Sequence, residues 1–299
     1  MDKLCRLCPR DCALPRPETA RGATGTCGMG TTPRVARAAL HFGEEPCISG
    51  TRGSGTVFFS GCALRCVFCQ NAPISAQGFG REVTPARLRE IYQALLAQGA
   101  HNINLVTPSH FVPAVRASLT PRLSAPVCYN TSAYDREEAL RSLEGLIDIY
   151  LPDMKYRSPV LAERYSGAAD YPSVADRAIR EMFRQTGPFV LGEDGLLRRG
   201  VLIRHLMLPG ALQDTLDVID WVAETFPRNS VLFSLLWQYT PPDRPLPYPE
   251  LAARVSEEDY ALAARYLSLR GIEAGFLQEK EAACNEFLPS FDLTGVEET

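Results

Sequence analysis

Three cysteines in one short loop carry the strongest chemical signal in this sequence. Cys62, Cys66 and Cys69 follow an apolar run at residues 56–60 with the spacing C-x3-C-x2-C. Three thiolates on one loop can bind three irons of a [4Fe–4S] cluster and leave the fourth iron without a nearby protein ligand. An open iron can bind a small molecule, so the spacing indicates catalysis more than electron storage. The alternatives are a zinc knuckle, a complete electron-transfer cluster with a distant fourth cysteine, and buried thiols.

A second group of cysteines lies near the N-terminus. Cys5, Cys8, Cys12 and Cys27 have the spacing C-x2-C-x3-C-x14-C, and several glycines surround the last of them. Four thiolates suit zinc or an iron–sulfur cluster, and a short region with almost no core folds more readily around a metal. We expect a second metal site here, with zinc favoured because no redox need is visible. Free thiols on a flexible leader are the alternative.

Length and composition limit the possible functions. The chain has 299 residues, of which 45% are apolar and 22% charged, with a formal net charge of −4. The length suits one large α/β domain with a small appendage, and the charge does not favour nucleic acid as a partner. No apolar run is long enough to span a membrane, and the start of the sequence shows no apolar leader. The ten cysteines then indicate metal ligands in a reducing cytoplasm rather than disulfides.

Short apolar runs alternate with amphipathic segments from residue 51 onward, which is typical of βα units around a parallel sheet. We predict an α/β fold, a partial (β/α)6 TIM-like barrel with a small Cys-rich N-terminal extension. The extension covers residues 1–50 and binds metal, the barrel covers 51–285, and 286–299 form a tail. The tail is acidic after residue 289, and we expect it to be mobile there. The predicted strands are residues 56–60, 103–107, 127–131, 147–151, 201–208 and 231–236. In such barrels the working residues project from the C-terminal strand ends, which is where Cys62 falls.

Capping and turn residues mark several element boundaries. Thr84, directly before a proline, and Ser256 each predict the start of a helix. Asp135 with Glu138 three residues later fits a variant of the capping box. A hairpin is expected around Asp194, which a glycine follows.

The cysteine loop resembles that of the radical S-adenosylmethionine (SAM) enzymes. Its surroundings are most similar to the glycyl-radical-enzyme activating enzymes, in the branch of the pyruvate formate-lyase activating enzyme. The segments that carry this resemblance are EPCISG at 45–50, GSGT at 53–56, FFSGC at 58–62, NINLVTP at 102–108, YLPDMKY at 150–156, RHLMLPG at 204–210 and QYTP at 238–241. The loop indicates the superfamily and the other segments indicate the branch, while none of them specifies a substrate.

The resemblance implies a [4Fe–4S] cluster, reductive cleavage of SAM, and a 5′-deoxyadenosyl radical that abstracts hydrogen from a substrate. It implies that Phe68 packs on the adenine, that Asp153 and Lys155 hold the methionine end of SAM, and that Arg204 lies near its carboxylate. A lysine ammonium suits that carboxylate as a point charge. The alternatives are a core aromatic for Phe68 and a surface ion pair for Asp153 with Lys155. Because Arg204 and His205 alternate along a predicted strand, one should point into the barrel and the other out.

Two elements depart from the family's pattern. A Gly-Gly-Glu-like element that contacts the cofactor amine usually follows the second strand, whereas this chain has TPSH at 107–110. The hydroxyls of Thr107 and Ser109 and the imidazole of His110 are the polar groups that could replace it. After the third strand, Asn130 and Thr131 stand where the family often has an Asp-Thr pair that can take part in a monovalent cation site, and the lost charge should weaken such a site. We count among the cofactor-binding candidates Gly61, Thr107, Ser109, Asn130 and Thr131.

Three functions follow from these observations. The favoured one is the activation of a glycyl radical enzyme, for which the substrate is a folded protein. The second is a radical enzyme that acts directly on a peptide or a small molecule, which the departures and the N-terminal cysteines support. The third is a non-catalytic iron–sulfur protein. The first two also require an electron donor of the flavodoxin or ferredoxin type.

Overall fold

The computed structural model describes residues 4–278 and 289–297, and in these ranges ten strands form one sheet. The strands are β1 (Arg34–His41), β2 (Ser54–Phe59), β3 (Arg81–Glu82), β4 (Ile103–Val106), β5 (Val127–Thr131), β6 (Ile149–Pro152), β7 (Val190–Leu191), β8 (Leu197–Leu206), β9 (Leu232–Leu236) and β10 (Gly275–Leu277). The helices are α1 (Pro46–Ser49), α2 (Ala72–Ser75), α3 (Pro85–Ala97), α4 (Val112–Ser118), α5 (Glu137–Arg141), α6 (Pro159–Ser166), α7 (Tyr171–Thr186), α8 (Leu212–Thr225) and α9 (Glu257–Leu269), with 3-10 turns at Ser109–Phe111 and Pro249–Ala252. Within the described ranges, none of the helices has the length and apolar character needed to cross a bilayer.

The strands form a partial barrel. Their order is β10-β9-β8-β6-β5-β4-β2-β1-β3, with β7 paired to β8. The neighbours from β2 to β10 run parallel, as strands joined by helical crossovers do, whereas β1 pairs antiparallel with both β2 and β3. Because β10 and β3 stand at opposite ends of the order, the sheet does not close. The predicted fold class, an α/β partial barrel, is confirmed.

The six predicted strands are all present, with ends that shift by a few residues, and they are β2, β4, β5, β6, β8 and β9. The hairpin around Asp194 is also present, as the antiparallel pair of β7 and β8. Strand β1 was not predicted, because its sequence RVARAALH has few of the β-branched and aromatic residues that favour strands. This strand places residues 34–41 in the main sheet, although they lie within the stretch 1–50 that the sequence analysis separated as an extension.

The predicted caps have mixed outcomes. Thr84 accepts a hydrogen bond from Arg87 N and begins α3, and Ser256 accepts one from Asp259 N and begins α9, so both predictions are confirmed. The prediction for Asp135 is wrong, because α5 begins at residue 137 without a side-chain cap.

The carboxylate of Asp135 is used inside the protein instead. Asp135 is buried and accepts hydrogen bonds from the hydroxyls of Tyr129 at 2.8 Å and Thr131 at 2.6 Å. Burial raises the pKa of Asp135, and the hydrogen bonds from these hydroxyls offset part of that effect.

The described part of the C-terminal tail, residues 289–297, lies along β1. Leu293 N donates to Ala36 O at 3.0 Å, and Ala38 N donates to Thr294 O at 2.8 Å. Val296 is buried against the barrel. The expectation of a mobile tail is therefore wrong for these residues, because the outer edge of β1 offers backbone groups to pair with.

Candidate active site

The cysteine loop begins where β2 leaves the sheet. All six residues of β2 are buried, and the chain then turns at Gly61, which has a φ of +83°. A side chain at Gly61 would lie 2.3 Å from Met29 Cγ and 2.8 Å from the carbonyl oxygen of Cys27. Glycine is therefore required here for both conformation and space, and this close approach sets Cys62 against the N-terminal segment.

The three cysteines of this loop meet in one cavity. Cys62, Cys66 and Cys69 line a space of about 290 Å³ at the C-terminal ends of the parallel strands. Other parts of the wall come from the strand ends and the loops after them, and include Asn130, Asp153, Lys155, Arg204, Leu206 and Tyr239. The structure thus brings the three predicted ligands to the edge of the sheet where barrel enzymes carry their active sites.

Each of the three sulfurs accepts a hydrogen bond. The donors are Leu64 N to Cys62 Sγ at 3.4 Å, Ser166 Oγ to Cys66 Sγ at 3.1 Å, and Ser75 Oγ to Cys69 Sγ at 3.3 Å. Burial raises the pKa of the Cys66 thiol to about 11, against the nearby charge of Lys155, which lowers it. A bound metal would displace the protons of these thiols. Sulfurs that already accept hydrogen bonds are suited to act as the thiolate ligands of an iron–sulfur cluster.

Charged side chains of alternating sign form one wall of the cavity. Arg204 donates from Nη1 to Glu44 Oε2 at 2.8 Å, from Nε to Asp153 Oδ1 at 2.9 Å, and from Nη2 to Asn130 Oδ1 at 2.6 Å. Lys155 Nζ donates to the other oxygen of Asp153 at 2.8 Å. Burial alone would raise the pKa of Asp153, but the charges of Arg204 and Lys155 outweigh it and hold that pKa below its usual value. Arg204 therefore pairs with the carboxylates of both Glu44 and Asp153 along this wall, Lys155 pairs with Asp153, and a third carboxylate, that of Glu45, lies 3.9 Å from Arg204.

Glu44 is a site residue that the sequence analysis missed. It lies between β1 and α1, and its carboxylate accepts hydrogen bonds from Asn104 at 3.2 Å and Asn130 at 3.1 Å as well as from Arg204. The signal available in the sequence was the acidic pair Glu44 and Glu45. Glu45 begins the segment 45–50, one of those that resemble the activating enzymes, and Glu44 directly precedes it. A carboxylate thus reaches the cavity although the Gly-Gly-Glu-like element is absent from residues 107–110.

Phe68 combines the two interpretations that the sequence left open. It lines the cavity, and its ring is buried and packs edge-on against Tyr165 and Tyr239, with centroid distances of 6.3 Å and 6.0 Å. The ring is therefore held by core neighbours and borders the cavity as well. Its contact with an adenine stays a prediction.

The polar residues at the two elements that depart from the family's pattern separate in the structure. Thr107 lines the cavity, as does Asn130. Ser109 and Thr131 are buried behind it, with their hydroxyls 3.1 Å apart, and Thr131 donates to Asp135. These two hydroxyls tie β5 to the 3-10 turn after β4, and the structure does not bring them to the cavity.

The alternation predicted for Arg204 and His205 is confirmed. Arg204 points into the cavity, whereas His205 is buried outside it against α8, with Nδ1 2.7 Å from Met154 O and Nε2 3.0 Å from Thr215 Oγ1. Burial lowers the pKa of His205 to about 4, so this histidine is neutral near pH 7. Its role in the structure is to join β8 to α8.

The four N-terminal cysteines line a second, smaller cavity of about 20 Å³. The bonds from Cys5 N to Leu14 O at 2.8 Å and from Ala13 N to Cys5 O at 3.0 Å fold this segment back on itself. His110 forms part of the wall, with Nε2 2.7 Å from Ser60 O and with a buried Nδ1 that has no hydrogen-bond partner among the described residues. His110 thus faces the N-terminal cysteines rather than the larger cavity.

Neither group of cysteines converges on a single point. In the parts of the chain that the structure describes, no three His, Cys, Asp or Glu side chains are grouped so as to hold one metal ion. In an iron–sulfur cluster each thiolate binds a different iron, so its ligands stand further apart than those of one ion. Cys47 and Cys128 pack instead among apolar residues of the barrel interior. Cys284 lies outside the described residues.

Comparison with known proteins gives one sequence relative of note and several similar structures. A scan against protein-family models gives no match. The chain is 26% identical over 268 residues to an uncharacterized protein of Methanocaldococcus jannaschii. The alignment covers 86% of this chain and 72% of that protein.

Similar solved structures cover most of the chain. Streptococcus suis SuiB bound to S-adenosylmethionine is 12% identical over 74% of this chain, with a TM-score of 0.49, and this chain spans about half (49%) of the SuiB chain. Methylornithine synthase (PylB) is 15% identical over 81% of this chain and 65% of its own, with a TM-score of 0.47. A domain of a pyruvate-formate lyase-activating enzyme from Bacteroides vulgatus is 14% identical over 65% of this chain and 91% of that domain, with a TM-score of 0.39.

Proposed function

We propose that this chain is a radical SAM enzyme in which Cys62, Cys66 and Cys69 bind a [4Fe–4S] cluster and the adjoining cavity binds SAM. The observation that carries the proposal is one cavity in which three thiols with hydrogen-bond donors meet a wall of alternating charges. When bound, the cluster and SAM together supply a 5′-deoxyadenosyl radical by one-electron cleavage. The residues of the protein have to bind SAM, orient it and exclude water.

The charged wall suits the amino-acid end of SAM, which carries an ammonium and a carboxylate. Lys155 offers a point charge to the carboxylate, and Glu44 and Asp153 offer acceptors to the ammonium. Arg204 donates hydrogen bonds to Glu44, Asp153 and Asn130. We therefore assign it the role of positioning these side chains rather than of binding SAM directly.

Apolar and aromatic side chains border the rest of the cavity. Leu206 and Leu236 extend from the ends of β8 and β9, and Phe68 with Tyr239 covers the side next to the cysteine loop. These groups would exclude water from the reacting atoms and hold them close, which is the main contribution of the protein when the cofactor carries out the difficult step.

The substrate of this site is proposed to be a protein or peptide, with activation of a glycyl radical enzyme as the first candidate. The support is the resemblance of the motifs to the activating enzymes. A direct modification of a peptide or small molecule is the second candidate, because the chain departs from that branch at residues 107–110 and carries four additional cysteines. A flavodoxin or ferredoxin would supply the electron in either case.

Anaerobic reconstitution tests the reaction. The protein is loaded with iron and sulfide, reduced, and supplied with SAM, and 5′-deoxyadenosine is measured together with iron per chain. We expect 5′-deoxyadenosine in amounts that depend on the reductant. A full cluster without any cleavage would contradict the proposed function.

Deuterium transfer tests the substrate class. Glycine-containing peptides deuterated at the glycine Cα are added to the reduced protein with SAM, and the 5′-deoxyadenosine is analysed by mass spectrometry. Transfer of deuterium supports hydrogen abstraction from a glycine residue. Transfer from a deuterated small-molecule extract, with none from any peptide, favours the second candidate.

We also propose that Cys5, Cys8, Cys12 and Cys27 hold a second thiophilic metal centre, either an iron–sulfur cluster or zinc, for which the four sulfurs would have to draw closer together on binding. The support is that all four thiols line one cavity, together with a histidine whose Nδ1 is buried without a partner in the described residues. Zinc, iron and acid-labile sulfide per chain, measured before and after substitution of Cys62, Cys66 and Cys69 by alanine, distinguish the two metals. An absence of metal in that triple variant would contradict the second centre.

A further inference from the structure

We propose that the N-terminal segment, residues 5–31, is a metal-bound brace that holds the catalytic cysteine loop in place, with Arg10 and Arg65 as its positioning residues. The inference rests on the proposed function, since it assumes metal at both groups of cysteines. It adds a role for the second centre: metal there would set the position of the loop that carries the first.

Arg10 makes the main connection. It lies between Cys8 and Cys12, and it donates from Nε to Ala63 O at 2.7 Å and from Nη2 to Leu64 O at 3.0 Å. Both carbonyls belong to the stretch between the first two cysteines of the catalytic loop. Charge-assisted bonds of this kind are about twice as strong as neutral ones, so one guanidinium fixes the backbone of that stretch.

The same guanidinium reaches the element that supports Cys66. Arg10 Nη2 also donates to Ser166 O at 2.7 Å, and Nη1 donates to Gly167 O. Ser166 Oγ in turn donates to Cys66 Sγ at 3.1 Å. Arg10 therefore joins the catalytic loop and the end of α6, which are the two segments that define the position of the Cys66 sulfur.

A second arginine makes the reverse connection. Arg65, directly before Cys66, donates from Nε to Thr26 O at 2.9 Å, and Thr26 precedes Cys27. A side chain at Gly61 would collide with the Cys27 carbonyl, so the two backbones are in close contact beside this bond. Each cysteine segment thus contributes one arginine to the carbonyl groups of the other.

The segment has little else to hold its own shape. The described residues 4–33 contain one isolated β-bridge, between Leu4 and Pro15, and no helix or longer strand. Cys8 and Met29 are their only buried core residues. A region with so small a core relies on crosslinks, and metal bound by four thiolates is such a crosslink. Metal binding would therefore decide whether Arg10 is held where it can reach the loop.

Hydrogen exchange of the catalytic loop tests this directly and does not depend on activity. The amides to follow are those of residues 62–69, in the reconstituted full-length protein. The variants are Arg10→Gln, a Cys8→Ser/Cys12→Ser double variant, and Arg6→Gln as the matched control. Arg6 lies in the same segment and pairs with Asp11 of that segment. The exchange of residues 179–186, the C-terminal half of α7, reports on global folding, because their side chains pair with α5, β6 and α8 rather than with the N-terminal segment.

We expect exchange in residues 62–69 to rise about tenfold or more in the Arg10→Gln and double variants, and to change less than about twofold in the control. The exchange of residues 179–186 stays unchanged. Arg10→Lys, which keeps the charge with fewer donors, should be intermediate, and it serves as the test if the Gln variant does not fold.

Two results would overturn the brace: equal exchange in Arg10→Gln and Arg6→Gln, or a double variant that loses neither zinc nor iron relative to the parent protein. The iron of the catalytic cluster should also be lost to a chelator faster in Arg10→Gln than in the control. A parent protein with a full cluster that does not cleave SAM would defeat the proposed function, while the exchange comparison would still decide whether the segment holds the loop.

Discussion

The two groups of cysteines are positioned by different means. The loop of Cys62, Cys66 and Cys69 follows β2, a fully buried strand between the parallel β4 and the antiparallel β1, and each of its sulfurs accepts a hydrogen bond. The N-terminal group lies in a segment without helices or strands among its described residues beyond a single bridge. Its position depends on a few backbone hydrogen bonds and on two arginines, Arg10 in the segment and Arg65 in the loop, each of which donates to carbonyl groups of the other region.

This difference shows how one protein can combine a cysteine loop held by the hydrophobic core with a cysteine segment whose order depends on crosslinks. A strand end is held by the hydrophobic core, so the place of the first cysteine is decided by folding of the barrel. A segment with almost no core gains its order from crosslinks, so its place is decided by what its cysteines bind. Changes on the barrel side and changes in the N-terminal segment should therefore have different effects.

The largest effect is expected from the ligands themselves. Cys66→Ala should abolish 5′-deoxyadenosine formation, because a cluster with two protein ligands is not retained. Cys8→Ala should lower it by about tenfold to a hundredfold, since it acts through the position of the loop. Product analysis after anaerobic reconstitution measures both, and equal losses would show that the two groups do not differ in role.

The next effect concerns the charged wall on the barrel side. Arg204→Gln removes the guanidinium that the mostly buried carboxylates of Glu44 and Asp153 share. Among the described residues this leaves Glu44 without a cation and Asp153 with Lys155 alone, and we expect a loss of about 3–5 kcal/mol in the free energy of unfolding. The control is Arg198→Gln, which breaks an exposed pair with Asp194 and should cost less than about 1 kcal/mol. Urea denaturation compares them, and a small loss at Arg204 would mean that the wall does not stabilise the barrel.

A ligand comparison then isolates the amino-acid end of SAM. Lys155→Met should weaken binding of S-adenosylhomocysteine by about tenfold to a hundredfold, because a charged hydrogen bond is lost. Binding of 5′-methylthioadenosine, which lacks the amino-acid end, should stay the same. Calorimetry with the two ligands measures the difference, and equal weakening of both would remove Lys155 from that role.

The smallest effect is expected at a helix cap whose side-chain hydrogen bond stays within its own helix and involves neither group of cysteines. Thr84→Ala removes the bond to Arg87 N and should lower the free energy of unfolding by about 1 kcal/mol, while metal content and SAM cleavage stay unchanged. Ser256→Ala provides the parallel case at α9. A change of metal content in either variant would show that loading depends on overall stability rather than on the local contacts described above.

Much of the fold could be predicted because its signals are local. Alternating apolar runs indicated the six parallel strands, Thr84 and Ser256 marked helix starts, and the alternation along β8 separated Arg204 from His205. Strand β1 gave no such signal, since its alanines and arginines become a strand only by pairing with β2. Asp135 was predicted to cap a helix. Its carboxylate instead accepts hydrogen bonds from two buried hydroxyls of β5, a tertiary contact that the local sequence does not show.

By itself, the sequence determined which cysteines are spaced to share a metal centre and where six strands lie along the chain, because ligand spacing and hydrophobic period are properties of neighbouring residues. Only the tertiary structure decided that Glu44 joins Arg204 and Asp153 in one wall, and that Arg10 reaches the carbonyls between Cys62 and Cys66. Such contacts join residues far apart along the chain, and they exist once the packing of the barrel has brought their elements together.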